Sequence, residues 1–199
     1  MVMNVSSLIL ASISPRRADL LREFKYEFSV VPSGAEEINF KNLSAGELAR
    51  LNAFRKAQAV SKKHPDAVVL GVDTVVVFGR EVFGKPADAA DAERMVMALQ
   101  GQTHQVVTGV CLIHLQSRHQ RLFYEQTDVT FRKMTPAQVR QYHAKVNPLD
   151  KAGAYGIQEK GVTVVESIAG SRSNVAGLPM ERLQAELAKF GIHPPAGRA

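Results

Sequence analysis

A single cysteine among 199 residues, Cys111, has no partner for an internal disulfide, so no disulfide framework holds this chain together. It lies in the apolar stretch 106–115, where it reads as a buried, inert thiol and not as a nucleophile. No apolar run approaches the roughly 20 residues of a membrane span. Met1 to Ser7 has no basic residue before its apolar run, and that run is too short for a secretory signal, so the cytoplasm is the expected compartment. Neither a GxGxxG loop nor a Walker loop is present, which removes the commonest nucleotide-binding frameworks. The six histidines (His64, His104, His114, His119, His143, His193) are scattered and lack zinc-ligand spacing. No Ser/His/Asp set or Cys/His pair is evident. Internal repeats, low-complexity tracts and linkers are missing as well.

What is present is ordinary apolar content for a soluble globular protein, in a length that suits one compact domain or two closely packed lobes. The formal charge of +6 raises the question of nucleic acid. Its distribution argues against that partner: basic residues come singly or in pairs, as in Arg16-Arg17, Lys62-Lys63 and Arg132-Lys133. A modest positive field suits a polyanionic small molecule equally well.

The most informative segment is Ser12-Ile13-Ser14-Pro15-Arg16-Arg17. It follows the apolar run Leu8-Ile9-Leu10-Ala11, a buried strand, and leads into a helix with Leu20, Leu21 and Phe24 on one side. Ser14 suits the N-cap and Pro15 the first helical position. Two arginines and two hydroxyls thus gather where unpaired backbone N–H groups open, an arrangement able to hold phosphate. A capped helix with two solvated arginines is the plainer alternative.

Further along, 27–31 reads as a short strand, and Pro32 to Leu43 as a polar loop containing Glu36-Glu37. Ser44-Ala45-Gly46-Glu47 is a capping box opening a helix to about Lys62. Residues 67–78 form a strand, 80–83 a hairpin return, and Gly84-Lys85-Pro86 a turn. A helix from Asp88 to about Gln100 turns Ala92, Met95, Val96 and Leu99 inward. Strands at 104–115 and 121–131, a helix from Thr135-Pro136 to about Lys145, and a strand at 162–168 follow. The final helix starts near Pro179 and buries Met180, Leu183, Leu187 and Phe190. The order is that of a mixed α/β fold and not of a purely parallel doubly wound sheet.

Asp73 sits inside a run that is otherwise apolar, where a carboxylate is costly unless paired, hydrogen-bonded or bound to metal. Glu36-Glu37 alone reads as a solvated acidic pair. Lys85 stands in a rigid turn that could aim its ammonium, and Lys56 shares a helix with Leu48 and Leu51 in a spacing that leaves its direction open. Asp150-Lys151-Ala152-Gly153-Ala154-Tyr155-Gly156-Ile157-Gln158 has small residues that let backbone approach a ligand, ending in a planar amide. Such an amide matches the N3–H and carbonyl edge shared by uracil and thymine. A glycine-rich loop packed on itself, with Asp150-Lys151 as a surface ion pair, is the alternative.

Together these segments resemble the Maf family of nucleoside triphosphate pyrophosphatases. The resemblance is carried by Leu10-Ala11-Ser12-x-Ser14-Pro15-Arg16-Arg17, Glu37, Lys56-Ala57, Gly71-x-Asp73-Thr74 and Lys85-Pro86. It continues through Gly101-Gln102-Thr103-His104-Gln105-Val106, Thr127-x-Val129-x-Phe131, the segment 150–158 and Asn174-Val175-x-Gly177-Leu178-Pro179. The motifs run in family order over nearly the whole chain. Arg172 departs from the pattern, standing where an aromatic or other residue is expected.

The resemblance implies one Maf-like domain over 1–199, with a mixed, elongated sheet flanked by helices and a central cleft between two lobes, similar to inosine-triphosphate pyrophosphatases. It implies cleavage between the α and β phosphates, and Asp73-Thr74 with the 150–158 segment resembles the branch acting on dTTP and UTP. Arg16, Thr74 and Gln158 match positions tied to base selection, and Asp73 matches the proton acceptor. From this follow the expected roles: Ser12, Ser14, Arg16 and Arg17 on substrate, Lys56 and Lys85 on phosphates, and Glu37 with Asp73 around a divalent Mg2+ or Mn2+. Whether Asp73 is base, ligand or both stays open. Modified pyrimidine nucleotides such as 5-methyl-UTP or pseudo-UTP fit the same edge-reading. The expected partners are a nucleoside triphosphate and a second copy in a homodimer, without nucleic acid or membrane. Because the family was first described through septum-formation inhibition, the alternative is a nucleotide-sensing regulator of cell division with little catalysis.

Overall fold

The structure is a computed structural model and describes residues 7–40, 42–157 and 163–195. Strand β1 (Leu8–Leu10) is buried along its whole length, as its unbroken apolar sequence requires. It pairs in parallel with β2 (Ser29–Val30) and β3 (Val68–Phe78), Ile9 standing opposite Ser29 on one side and Val69 on the other. Strand β4 (Glu81–Phe83) returns antiparallel on β3, with Val77 opposite Val82. Gly79 opens that return at φ 60°, the left-handed conformation that a tight hairpin favours.

Strands β5 (Thr103–His114) and β6 (His119–Phe131) are neighbours joined by a short turn that only an antiparallel pair can use. Strand β7 (Val165–Ala169) pairs antiparallel with the end of β6, with a register shift at Thr130/Phe131. The seven-stranded sheet has the order β2-β1-β3-β5-β6-β7, with β4 attached to β3. Parallel and antiparallel pairs coexist, so the mixed α/β expectation holds.

Six helices flank the strands among the described residues: α1 (Pro15–Glu23), α2 (Ala45–Ser61), α3 (Ala89–Leu99), α4 (Pro136–His143), α5 (Arg172–Val175) and α6 (Met180–Ala188). Both halves of the α2 capping box form, Ser44 accepting from the Glu47 N–H and Glu47 accepting from the Ser44 N–H. The inward face read for α3, Ala92, Met95, Val96 and Leu99, is its buried face. The four-residue α5 was not anticipated; Ser171 caps it by accepting from the Asn174 N–H. Phe190 is partly buried, beyond the end of α6, whereas Met180, Leu183 and Leu187 are fully buried.

The chain divides into two compact units, residues 1–73, 108–125 and 177–199 in one, 74–107 and 126–176 in the other. In the first, strand alternation sorts the side chains. Leu8, Leu10, Leu70 and Leu112 pack with Leu21 of α1 and Leu183 and Leu187 of α6. Ile9, Val69, Cys111 and Ile113 pack with Ala53, Ala57 and Val60 of α2. Cys111 is fully buried, and burial pushes its thiol up to about 12. The second unit gathers Val76, Phe83, Val106, Val129 and Phe131 against α3 and α4.

Helix α2 lies unusually close to the strands of its unit. A Cβ at Gly71 would stand 2.2 Å from the Ala53 carbonyl oxygen, and one at Gly109 would stand 2.3 Å from that of Ala49. Two glycines on the strands and the alanines Ala49, Ala53 and Ala57 on the helix are what permit this approach.

Candidate active site

The close seat of α2 decides where its next row of side chains goes. Asn52 and Lys56 are one helical turn apart and share a face. Both are buried, and both reach Asp73 at the point where β3 leaves the first unit. Lys56 Nζ donates to Asp73 Oδ1 at 2.6 Å and to Glu37 Oε1 at 2.6 Å. A longer contact, 3.4 Å, runs to the Val72 carbonyl. Asn52 Nδ2 donates to the other Asp73 oxygen, Oδ2, at 3.2 Å. The direction of Lys56, open from spacing alone, is thus settled by the helix packing.

Asp73 is 4% exposed, and burial pushes its carboxyl above the ordinary aspartate value. The Lys56 ammonium pulls it back down, Glu37 pushes it up, and Arg17 adds a weaker downward pull. Glu37 is half-exposed on the loop before α2, so the acidic pair is not wholly solvated: Glu37 is drawn in by Lys56 while Glu36 stays outside.

The Ser12–Arg17 segment lies in the same unit. Arg17 is 9% exposed, and its guanidinium donates to the Gly177 carbonyl at 2.9 Å, to Ser12 Oγ at 2.9 Å and to the Val72 carbonyl at 3.1 Å. The Val72 carbonyl therefore receives both Arg17 and Lys56. Burial lowers the Arg17 pKa to about 10, with Asp73 opposing and Arg16 assisting, so it stays cationic at neutral pH. Arg17 acts as a post that holds Ser12 against the middle of β3, while Arg16 beside it is half-buried. Ser14 occupies the N-cap position with Pro15 next to it, but its hydroxyl makes no capping bond. Contrary to the capping role expected of it, Ser14 contributes its backbone N–H, which donates to Ser12 Oγ at 3.3 Å and turns the loop onto Ser12.

Thr74 and Lys85 belong to the second unit, Thr74 half-buried on β3 and Lys85 exposed in the turn after β4. That turn is tied to the glycine-rich loop by the Gly153 N–H, which donates to the Gly84 carbonyl at 3.0 Å. The loop turns once on itself, the Ala154 N–H donating to the Lys151 carbonyl at 3.1 Å, and packs on aromatic groups. The Gly156 N–H donates to the Tyr142 hydroxyl at 3.0 Å, and Tyr155 meets His104 Nε2 at 2.7 Å and Phe131 edge-on. Burial lowers the His104 pKa to about 4, which keeps the ring neutral. Asp150-Lys151 is not a surface pair: Lys151 is buried and donates to the Asn147 carbonyl at 2.7 Å as well as to Asp150 at 2.8 Å. Gln158 lies outside the described residues.

The structure thus brings Glu37, Lys56 and Asp73 together and sets Ser12 and Arg17 beside them through Val72. Asn52 is the member that sequence reading missed. The available signal was an asparagine in mid-helix, where its side chain competes with the backbone, one turn before a lysine. Among the described residues no three His, Cys, Asp or Glu side chains form a metal-binding group.

The chain belongs to the family of Maf-like proteins: the family model described in those words matches residues 7–190. Its relatives carry a more particular name. A dTTP/UTP pyrophosphatase of Gloeobacter violaceus is 47% identical over 183 residues, covering 92% of this chain and 95% of the relative. One from Shouchella clausii is 42% identical over 193 residues, 97% of this chain and all of the relative. A HAM1 protein of Coxiella burnetii, known as a solved structure, superposes with a TM-score of 0.41 at 15% identity over 63% of this chain and 73% of its own.

Proposed function

We propose that this chain hydrolyses dTTP and UTP between the α and β phosphates, releasing pyrophosphate and leaving the nucleoside monophosphate. The observation that carries the reading is the buried Asp73 held between Lys56 and Asn52 with Glu37 on the far side of the same ammonium. It is supported by near full-length relatives named for those substrates. Water adds to the α phosphorus, its proton passes to Asp73, and the bridging bond to the β phosphate breaks with its electron pair leaving on pyrophosphate. A carboxyl pushed upward by burial is a better proton acceptor than an ordinary aspartate. Lys56, Lys85 and the hydroxyls of Ser12 and Ser14 bind the phosphate oxygens, and Arg17 holds Ser12 in place while adding its fixed charge.

A divalent cation, Mg2+ or Mn2+, fits Glu37 and Asp73. Both offer hard carboxylate oxygens, here shared by the Lys56 ammonium, and two such ligands would suit a metal completed by substrate phosphates. When bound there, the cation supplies charge neutralisation at the phosphate oxygens. Arg16, Thr74 and Gln158 read the pyrimidine, whose N3 edge leaves C5 unread, so 5-methyl-UTP and pseudo-UTP are substrates too. The whole chain serves as one Maf-like domain, acts in the cytoplasm where nucleotides are made, and pairs as a homodimer. Clearing modified nucleotides, with an attendant arrest of division, is its cellular role. Among the described residues no helix is long and apolar enough to cross a membrane.

The test is pyrophosphate release over canonical and modified triphosphates, with Mg2+ or Mn2+ and with chelator. Metal-dependent turnover confined to dTTP, UTP and their C5-modified relatives is expected. Turnover of 7-methyl-GTP instead would overturn the assignment of Thr74 and Gln158. Tight nucleotide binding without turnover would replace the enzyme by a nucleotide-sensing regulator.

A further inference from the structure

Asn52 spends its whole amide on the two ends of the candidate site. Its Oδ1 accepts from the Ile38 N–H at 2.9 Å. One Nδ2 hydrogen goes to the Ile38 carbonyl at 3.0 Å, and the other to Asp73 Oδ2 at 3.2 Å. The Ile38 backbone offers one donor and one acceptor, so the amide has one orientation only, and the group facing Asp73 must be a donor. Asn52 is 3% exposed and stands on the part of α2 that Gly71 and Gly109 draw against the strands. Ile38 is the residue after Glu37, on a segment without regular secondary structure.

We propose that Asn52 is a positioning residue that locks Glu37 and Asp73 into one geometry, resting on the reading that these carboxylates carry the chemistry. A loop residue such as Glu37 would otherwise sample many positions relative to a strand residue. Asn52 removes that freedom by pairing with the backbone next to Glu37 as another strand would, and by donating to the far oxygen of Asp73. Lys56, one turn later, holds Glu37 and the near oxygen of Asp73. Two successive turns of one helix therefore grip both carboxylates, one by charge and one by an oriented amide. Asn52 reaches neither water nor phosphate in this scheme; it acts through Asp73 and the Ile38 backbone.

The test compares Asn52→Leu, branched at the same carbon and without side-chain hydrogen bonds, with the wild type. Expected are a fall in kcat of about 10- to 100-fold, the scale of a slight misplacement of reacting groups, with KM for dTTP changed less than about 3-fold. Amide exchange at Ile38, read by NMR on the folded protein, should quicken at least about tenfold, since its N–H loses its acceptor. Asn52→Asp keeps the acceptor for the Ile38 N–H but sets an oxygen against both the Ile38 carbonyl and Asp73, so Ile38 should exchange more slowly than in Asn52→Leu while kcat stays low. If Asn52→Leu does not fold, Asn52→Ser carries the same two measurements. Unchanged kcat, or a loss confined to KM, would overturn the proposal, as would unchanged exchange at Ile38. Glu37→Gln and Asp73→Asn separate the levels. If both lose turnover while Asn52→Leu keeps it, the positioning role alone falls. If both retain wild-type turnover, the reading of the carboxylates falls, and the proposal with it.

Discussion

Lys56 and Asp73 meet at 2.6 Å with their side chains 10% and 6% exposed, an ion pair almost wholly withdrawn from water. Breaking such a pair from one side leaves an uncompensated buried charge, and the two sides here are not equivalent. Lys56→Met strands Asp73 and should cost about 3–5 kcal/mol in urea unfolding. Asp73→Asn leaves Lys56 its second carboxylate, Glu37, so the loss of stability should be clearly smaller. Turnover should nonetheless fall about 10²- to 10⁴-fold in Asp73→Asn, because the proton acceptor is gone. Near-normal rates in that variant would remove Asp73 from the chemistry.

The acid limb of the kcat/KM profile follows from the same carboxyl. A base acts only when ionised, and burial raises Asp73 above 3.8, so activity should fall on acidification with an inflection above that of an ordinary aspartate. For stability the sign is opposite. A raised folded pKa means the fold favours the protonated form, a contribution present below the unfolded value and lost as pH rises through the folded one. Asp73→Asn should remove both dependences.

His104 gives a second pH signature, with the reverse sign. Its folded pKa of about 4 lies below the ordinary 6.5, so the unfolded chain takes up a proton that the fold refuses. Stability should decline as pH falls from about 6.5 towards about 4, by roughly 3 kcal/mol at one proton and about 1.4 kcal/mol per pH unit. His104→Gln should flatten that decline in thermal melts at a series of pH values.

Gly109→Ala tests the seat of α2 from a position that touches none of the site residues discussed. The added methyl meets Ala49 and Arg50 backbone at 2.2–2.5 Å, so the helix must move. Overpacking of this kind costs about 1–3 kcal/mol. Turnover should drop as well, since Asn52 and Lys56 ride on the same helix; unchanged activity at lowered Tm would show that the site tolerates the shift.

Gln158→Ala addresses the base. Loss of an amide that reads the N3 edge should lower kcat/KM for UTP and dTTP more than for CTP or GTP, by a factor of at least about 10² for a substrate-matched hydrogen-bonding group. Equal proportional losses across the four nucleotides would sink the assignment.

Much of the fold could be read in the sequence because local chemistry decided it. The capping box at Ser44 and the inward face of α3 involve residues within a few positions of each other. The candidate site divides differently. Lys56 and Asp73 were visible as a lysine and an oddly placed aspartate, yet their pairing depends on how closely a helix approaches a strand. That distance is set by Gly71 and Gly109, residues far apart in the chain. The pairing of Asn52 gives no such signal, because its two partners, Ile38 and Asp73, lie 14 and 21 positions away, beyond any periodic pattern. Ser14 has the right residue type at the N-cap position, yet its hydroxyl makes no capping bond while its backbone N–H turns onto Ser12 Oγ, an arrangement that residue type alone does not encode.

The tight seat of α2 also bears on how the protein tolerates genetic change. Glycine has no conservative substitute at Gly71 or Gly109, since every other amino acid brings the same first carbon into the same helix backbone. Missense changes at these two positions, however mild by the usual scales of similarity, should therefore behave as lesions of a site they never enter. A screen of random variants for lost function would then find the strand floor beneath α2 as readily as the charged residues above it.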